Sequence, residues 1–424
     1  MKRAVRQSFD KIKGTAIFKN FLNLSSIQLS NILLNLALFP IIIRLIGIEA
    51  FGYFTLANSI AWVFAILINY GTNQSGIRDI AIHIADPGAL GKIFYNILGI
   101  RILMFIFFLV CIALLGNFQI KYYHFILFAV PIVFSEVFNP LFFFLGIQKL
   151  KAFNIANLLS KALTIVFVVL FIHSPDDAVW VNFIIGVTSL VLYCILLVNQ
   201  ISSGMISFHM PRPSEQIHLF KENFSLTINN ISVQLQQSFM VFALGKWESP
   251  RVLGAYSVAD KVIGSIRILI IQISSAIYPK AAQMNHTEPE RWHAFMKKTQ
   301  LGLTALFLSG SVILCLCAPV IVKLISGKAD SDATAFLRIM AFVPAVAAWN
   351  SCSAIDLLIR NDKRQIFKIA ILLLIISLVT TFILVSRGYS AWYGAYTLAV
   401  ELAALLMYQF AIQKSRKHSL SKDE

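Results

Sequence analysis

Residues 92–116 read KIFYNILGIRILMFIFFLVCIALLG, a stretch that is almost entirely apolar. A helix needs about 20 apolar residues to cross a bilayer, so this stretch predicts a membrane-spanning helix. The whole chain has the same character, since 58% of its 424 residues are hydrophobic and only 13% are charged. A soluble domain carries about 25% charged residues. The sequence therefore predicts an integral membrane protein.

Twelve apolar stretches of this kind follow one another along the chain. Their runs are continuous rather than alternating, which excludes a transmembrane β-barrel. We predict an all-α integral membrane protein of about 12 transmembrane helices, near residues 20–46, 50–75, 92–116, 122–146, 153–173, 178–200, 218–245, 252–282, 294–325, 333–359, 365–386 and 390–413.

The net charge of +16 tests this count, because Lys and Arg collect on the cytoplasmic side of membrane proteins. With the N-terminus inside, 24 Lys and Arg fall in inner segments and 8 in outer ones. We therefore expect both termini in the cytoplasm, with residues 1–19 an amphipathic entry and 414–424 a tail. The basic residues lie between the apolar stretches. Their positive charge is therefore better explained by membrane orientation and contact with anionic lipid headgroups than by nucleic-acid binding. The eight outer ones are Arg44, Lys121, Lys246, Arg251, Lys323, Lys328, Arg338 and Arg387.

A short motif occurs twice, as GYFTLAN at residues 52–58 and as GAYSVAD at residues 254–260. Each copy opens the second predicted helix of a six-helix half. We therefore predict an N-lobe at 20–200, a polar cytoplasmic connector at 201–217 and a C-lobe at 218–413. Two like-oriented halves enclose a central cavity, and rocking of the halves gives alternating access.

Several charged residues fall inside predicted spans, where each costs at least about 2.5–3.5 kcal/mol on insertion scales unless water, a partner or a substrate receives it. Four cations cannot be placed in loops, and snorkelling to an interface is the alternative explanation for them. An excess of cations over buried acids suggests an anionic substrate, which Arg meets in bidentate geometry and Lys as a point charge. The four candidate substrate-binding cations are Arg101, Lys161, Lys261 and Arg267.

The acids inside spans have two readings, as ion-coupling groups or as members of structural pairs. Asp260 and Arg267 are seven residues apart and share one helix face. Asp356 precedes Arg360 by four residues, which favours a local helical pair. The candidate acids are Asp260, Glu136 and Glu401.

Amide side chains form stripes in the first and seventh predicted spans. Such stripes either join helices by hydrogen bonds or contact sugar hydroxyls, and the sequence leaves both open. The candidate glycan-contacting residues are Asn31, Asn35, Asn230, Gln234 and Gln237.

No enzyme or cofactor motif accompanies these residues. The five cysteines lie in apolar stretches without zinc spacing, and the chain has no phosphate-binding glycine loop. We therefore predict neither a catalytic residue, a metal nor a cofactor. The short predicted outer loops also leave no room for an extramembrane catalytic domain.

Three stretches resemble Wzx-type O-antigen flippases of the multidrug/oligosaccharidyl-lipid/polysaccharide exporter superfamily. One of them, residues 69–71 with residues 78–81, looks like the end of the family's second helix. FPIIIRLIGIEAFGY at residues 39–53 looks like the opening of the family, and residues 254–261, ending at Tyr278 and Pro279, look like its eighth helix. The resemblance implies a V-shaped, two-lobed helical fold with a cationic cavity. It further implies that an undecaprenyl-diphosphate-linked oligosaccharide is moved from the cytoplasmic to the outer leaflet of a bacterial inner membrane, for O-antigen or capsule biosynthesis.

The expected partners are the lipid-linked oligosaccharide, membrane lipids and a polysaccharide polymerase. Similar proteins often carry an acid in the middle of the seventh span, where this chain has Gln236 and Gln237, so the coupling ion stays open. Export of drugs or of peptidoglycan precursors within the same superfamily is the alternative. A polysaccharide polymerase or ligase is the enzyme alternative, and it normally has a large outer loop.

Overall fold

Helices make up nearly all of the computed structural model, which describes residues 16–117, 122–360, 362–388 and 390–420. No strand occurs in these four ranges, which confirms the prediction of an all-α protein. The α-helices are α1 (Ala16–Asn69), α2 (Thr72–Ile82), α3 (Pro87–Gly116), α4 (Tyr123–Leu127), α5 (Val130–Val137), α6 (Leu141–Gly146), α7 (Leu150–Phe171), α8 (Ala178–Ser202), α9 (Pro213–Trp247), α10 (Pro250–Thr287), α11 (Pro289–Ser326), α12 (Ser331–Met340), α13 (Val343–Ile359), α14 (Lys363–Ser386) and α15 (Ala395–Leu420).

Ten helices of the described ranges are long and apolar enough to cross a membrane. This number is smaller than the twelve predicted spans for two reasons. The first two predicted spans are counted together as one segment, Ala37–Ile82. Within this segment, the backbone of α1 is not helical at Gly47, where φ is 79°. The amide-rich α9 is not among the ten, because its polar side chains lower its hydropathy.

The predicted spans at 122–146 and 333–359 are not single helices. The first consists of α4, α5 and α6, and the second of α12 and α13. A proline stands at the start of the new helix in both places, Pro131 in α5 and Pro344 in α13. Proline lacks the N–H that would continue a helix but fits the first turn of a new one. The two breaks occupy the fourth span of each predicted half, in line with the internal repeat.

The residues form two compact units, which do not divide the chain at a single point. Unit 1 comprises Met1–Ile41, Phe64–His173 and Val179–Thr227, and unit 2 comprises Ile42–Val63, Ser174–Ala178 and Ile228–Glu424. The middle of α1 therefore belongs with the C-terminal helices. In unit 1, aromatic side chains of α3 and α6 form a core around Phe94, Phe142 and Phe143. In unit 2, Leu357, Ile369 and Ala404 join α13, α14 and α15.

The connector between α8 and α9 is held against unit 1 by polar contacts. The Glu215 carboxylate accepts from Lys92 at 2.9 Å and from His209 at 3.0 Å. The hydrogen bond from His209, followed by the one from Lys92, holds the pKa of Glu215 well below its usual range. Gly91 also allows close approach, since a Cβ there would lie 1.9 Å from the carbonyl oxygen of Ser207.

Candidate functional site

A polar cavity of about 420 Å³ lies inside unit 2, where α9, α10, α13, α14 and α15 meet. Apolar side chains form much of its wall, which is common among ligand-binding pockets. Its polar lining residues are Asn229, Gln236, Gln237, Asp260, Arg267, Asn350, Ser351, Tyr396, Thr397, Glu401 and Tyr408.

A hydrogen-bonded group of three side chains forms one wall of this cavity. The guanidinium of Arg267 on α10 donates to Glu401 Oε1 on α15 at 2.6 Å. Asn350 on α13 donates to Glu401 Oε2 at 2.8 Å and to the Glu401 carbonyl oxygen at 2.9 Å. Both charged side chains are largely buried, with 23% of Arg267 and 17% of Glu401 exposed. Short charge-assisted bonds of this kind are about twice as strong as neutral ones.

The spacing along α10 decides which of its charges reach the cavity. Asp260 and Arg267 lie two helical turns apart, and both line it, as their shared face predicts. Lys261 is half-buried and is not among the lining residues, because the next residue of a helix points about 100° away.

The cavity of unit 2 contains more acids than cations. Its lining contains one cation, Arg267, and two acids, Asp260 and Glu401. Glu401 is 134 positions from Arg267 in the chain, so the sequence did not show that the two side chains pair. In unit 2, the cavity is therefore a site with a paired cation and a second carboxylate close to it.

The amide stripe of α9 is divided between the cavity and the surrounding helices. Gln237 lines the cavity. Gln236 also lines it and donates to the Ala370 carbonyl oxygen at 2.9 Å. Gln234 donates to Ser238 within α9 at 3.2 Å, and Asn230 is half-buried outside the lining. The side chains of Asn31 and Asn35 lie outside the described part of the structure.

Arg101 lies in the interior of unit 1, with only 1% of its surface exposed. Its guanidinium donates to Thr72 Oγ1 at 3.1 Å, to Asn73 Oδ1 at 3.0 Å and to the Asn139 carbonyl oxygen at 2.7 Å. The same group lies 4.9 Å from the ring centroid of Phe142. This set of protein partners favours a structural role over the substrate contact and over the snorkelling considered from the sequence.

Two further charged candidates belong to unit 1. Glu136 is buried, and its Oε2 accepts from Asn69 at 2.9 Å and from Asn139 at 3.0 Å. Both partners are amide side chains of unit 1. Lys161 is half-buried within α7.

In unit 2, Asp356 and Arg360 pair at 2.5 Å, which confirms the predicted helical pair.

Five polar lining residues were missed by the sequence interpretation, namely Asn350, Ser351, Tyr396, Thr397 and Tyr408. Asn350 offered a signal, because an amide inside an apolar span needs a polar partner. The two tyrosines offered none, since tyrosine is common near membrane interfaces. Among the described residues, no group of three or more His, Cys, Asp or Glu side chains could hold a metal ion.

Two curated relatives match most of the chain, and both carry the name "Putative O-antigen transporter". The protein of Escherichia coli (strain K12) is 26% identical over 379 residues, covering 86% of this chain and 90% of its own. That of Shigella dysenteriae is 24% identical over 393 residues, covering 88% of this chain and 94% of its own. These relatives are named as transporters, not as enzymes.

Solved structures share the fold at low sequence identity. A multidrug resistance MATE family transporter of the MOP superfamily, in an inward-facing conformation, matches with a TM-score of 0.74 and 13% identity, covering 91% of this chain and 95% of its own. The lipid II flippase MurJ, in an inward closed conformation, matches with a TM-score of 0.68 and 12% identity, covering 92% and 87%. The fold is thus that of MOP-superfamily transporters, as the resemblance implied.

The family profile described as "Polysaccharide biosynthesis protein" matches residues 17–285, more than half of the chain. This range includes both copies of the repeated motif and the charged face of α10. The chain belongs to the polysaccharide biosynthesis protein family.

Proposed function

We propose that the protein is a flippase that moves a lipid-linked saccharide repeat unit from the cytoplasmic to the outer leaflet of a bacterial inner membrane. The family, the names of the two relatives and the fold shared with a lipid flippase support this proposal. The substrate that we propose is an undecaprenyl-diphosphate-linked oligosaccharide, used for O-antigen or capsule. Both termini are then cytoplasmic, and a polysaccharide polymerase receives the product.

The observation that carries the proposal is the state of Arg267 in the cavity of unit 2. One side of its guanidinium is held by Glu401, whereas its buried Nε has no hydrogen-bond partner among the described atoms. A buried donor without a partner costs about 1–3 kcal/mol, so a ligand oxygen that reaches it gains that energy. Arg267 is therefore the proposed anchor for the diphosphate.

Binding of a diphosphate changes the charge balance around Arg267. Two phosphates carry more negative charge than one carboxylate, and they offer the bidentate geometry that a guanidinium prefers. The ligand competes with Glu401 for Arg267 and leaves Glu401 with Asn350 as its remaining partner. An unpaired buried charge costs about 3–5 kcal/mol, which couples ligand binding to rearrangement of α15 or to uptake of a cation.

The remaining candidates have separate places in this mechanism. Gln237 and Asn229 offer amides to sugar hydroxyls at the cavity wall. Lys261 and Lys161 stay predicted phosphate contacts. Arg101 is instead assigned to the interior of unit 1.

Complementation of a flippase-null strain tests the proposal. Arg267→Ala and Lys261→Ala should reduce surface polysaccharide relative to the amount of protein in the membrane, which is measured in parallel because Arg267→Ala leaves Glu401 without its cation. The control is Arg387→Ala, which changes an exposed basic residue of the predicted outer side and should support full export. Full surface polysaccharide from both the Arg267 and the Lys261 variant would rule out the cationic anchor.

Drug export is the second candidate function. Two carboxylates in one cavity, Asp260 and Glu401, favour it, because cationic drugs need acidic partners. Expression in a drug-sensitive strain separates the two functions. The flippase proposal predicts no gain of resistance to cationic dyes, whereas resistance that depends on Asp260 would establish drug export.

A further inference from the structure

A second cavity, of about 880 Å³, lies in unit 2 at the end of α11. Three of its lining residues are the basic side chains Arg44, Lys323 and Lys328, and all three are exposed. None of the described lining residues is acidic. The cavity is therefore positively charged, unlike the cavity around Arg267.

Two helix ends bring these three side chains together. The first part of α1 ends at Gly47, with φ 79°, and α11 ends at Ser326, directly before Gly327, with φ 78°. Both values lie in the left-handed region, which glycine adopts without strain. The Arg44 guanidinium donates to the Leu324 carbonyl oxygen, which fixes one helix end against the other.

An adjacent cavity extends the basic surface. It shares Pro319 and Ala329 with the cavity at the end of α11, and it is also lined by Arg251 and Arg338. Its acid, Asp330, pairs with Arg251 at 3.6 Å and caps α12 through the Ala333 N–H. Five of the eight basic residues predicted on the outer side thus line two adjacent cavities. The outer segments of membrane proteins are usually poor in basic residues, so the grouping of these five needs a physical explanation.

Neutralisation of the helix ends explains part of the charge but not all of it. Each helix C-terminus carries about −0.5 elementary charge, so two ends together balance about one cation. Three cations line the cavity at the end of α11, and Arg44 uses only part of its guanidinium for the Leu324 carbonyl. An excess of positive charge and free donors remains for an anion.

We propose that Arg44, Lys323 and Lys328 form a binding site for the anionic phosphate of a lipid headgroup at the membrane surface. Arg44 supplies a planar donor, and the two lysines supply point charges, a combination that suits phosphate oxygens. The phosphate belongs either to an acidic phospholipid or to the diphosphate of a carried lipid. The site does not depend on the proposed function, because both sources offer the same chemistry.

Lipid binding to the purified full-length protein tests this site. Native mass spectrometry in detergent measures binding of phosphatidylglycerol, undecaprenyl diphosphate and, as the neutral reference, phosphatidylcholine. The variant Lys323→Gln/Lys328→Gln should weaken binding of at least one anionic lipid by about tenfold, the equivalent of one charge-assisted hydrogen bond. The lipid that is affected identifies the source of the phosphate.

The matched control is Lys246→Gln/Arg387→Gln, which removes the same charge from exposed residues of the predicted outer side that line neither cavity. It should bind both anionic lipids as the wild type does. Equal loss in both double variants, or no loss in either, overturns the proposal. If the double variant fails to fold, Lys328→Gln alone repeats the test, since Lys328 lies outside the helices and is exposed.

Discussion

Gly52 and Gly254 lie against each other where the two copies of the repeated motif cross in unit 2. A Cβ on Gly52 would lie 2.8 Å from the backbone nitrogen of Gly254, and a Cβ on Gly254 would lie 1.9 Å from the Ile48 carbonyl oxygen. Because the obstacles are backbone atoms, a rotamer change cannot relieve the contact. The glycine that opens each motif thus permits the close crossing of α1 and α10.

Gly254→Ala should therefore destabilise the protein, because the added methyl group forces the two helices apart. Overpacking costs about 1–3 kcal/mol, and the 1.9 Å approach places this substitution at the upper end. Gly264→Ala on the same helix is the control, since nothing lies within 4 Å of its Cβ position. Thermal unfolding in detergent should show a lower midpoint for Gly254→Ala only. Equal midpoints for the two variants would contradict the close crossing.

Arg101→Lys should lower the amount of folded protein. Lysine keeps the charge but cannot reach Thr72, Asn73 and the Asn139 carbonyl together, and each buried acceptor left without a partner costs about 1–3 kcal/mol. Arg267→Lys is the matched change in unit 2, and it should keep the folded amount while reducing export. Fluorescence-detected size exclusion measures the folded amount. A stable Arg101→Lys protein that fails to export would instead place Arg101 at the substrate.

Glu401→Gln should bind undecaprenyl diphosphate more tightly than the wild type does. The amide keeps an acceptor for Asn350 but removes the charge that competes for Arg267. We expect a gain of about tenfold in affinity, for loss of about 1.4 kcal/mol of competition. Titration of the purified protein with the lipid measures this. An unchanged or weaker affinity would show that the pair with Arg267 serves structure alone.

Glu215→Gln should expose the connector between α8 and α9. The substitution removes the charge that holds Lys92 and His209. Because the pKa of the folded Glu215 is depressed, its contribution to stability is present at neutral pH and is lost only as the pH falls through that low value. Chymotrypsin at neutral pH should cleave faster at Phe208, which is 80% exposed.

The control for this experiment is Glu222→Gln on the same helix, which removes one of the two carboxylate partners of Arg78 and leaves the connector contacts in place. Its cleavage at Phe208 should match that of the wild type. Equal cleavage of the Glu215 and Glu222 variants would mean that Glu215 does not hold the connector.

The features that the sequence predicted are local ones. Continuous apolar runs predicted the helices, a four-residue spacing predicted the pair of Asp356 and Arg360, and a seven-residue spacing placed Asp260 and Arg267 on one face. Each depends on the periodicity of a single helix, which is independent of the rest of the chain.

The features that the sequence did not predict depend on distant residues. The partner of Arg267 is 134 positions away, and the partners of Arg101 come from α2 and from the turn after α5. Counting the charged residues within spans treats these arginines as unpaired. Whether an acid lies beside an arginine depends instead on how distant helices pack together. The breaks at Pro131 and Pro344 had a local signal, which the hydropathy of the surrounding residues outweighed.

The most direct measurement is translocation in liposomes that contain the purified protein and a fluorescent undecaprenyl-diphosphate-linked oligosaccharide. A lectin added outside reports how much saccharide reaches the outer leaflet with time. We predict rapid exposure with the wild type, and exposure close to that of protein-free liposomes with Arg267→Ala. Wild-type liposomes that expose the saccharide no faster than empty ones would contradict the proposed flippase function.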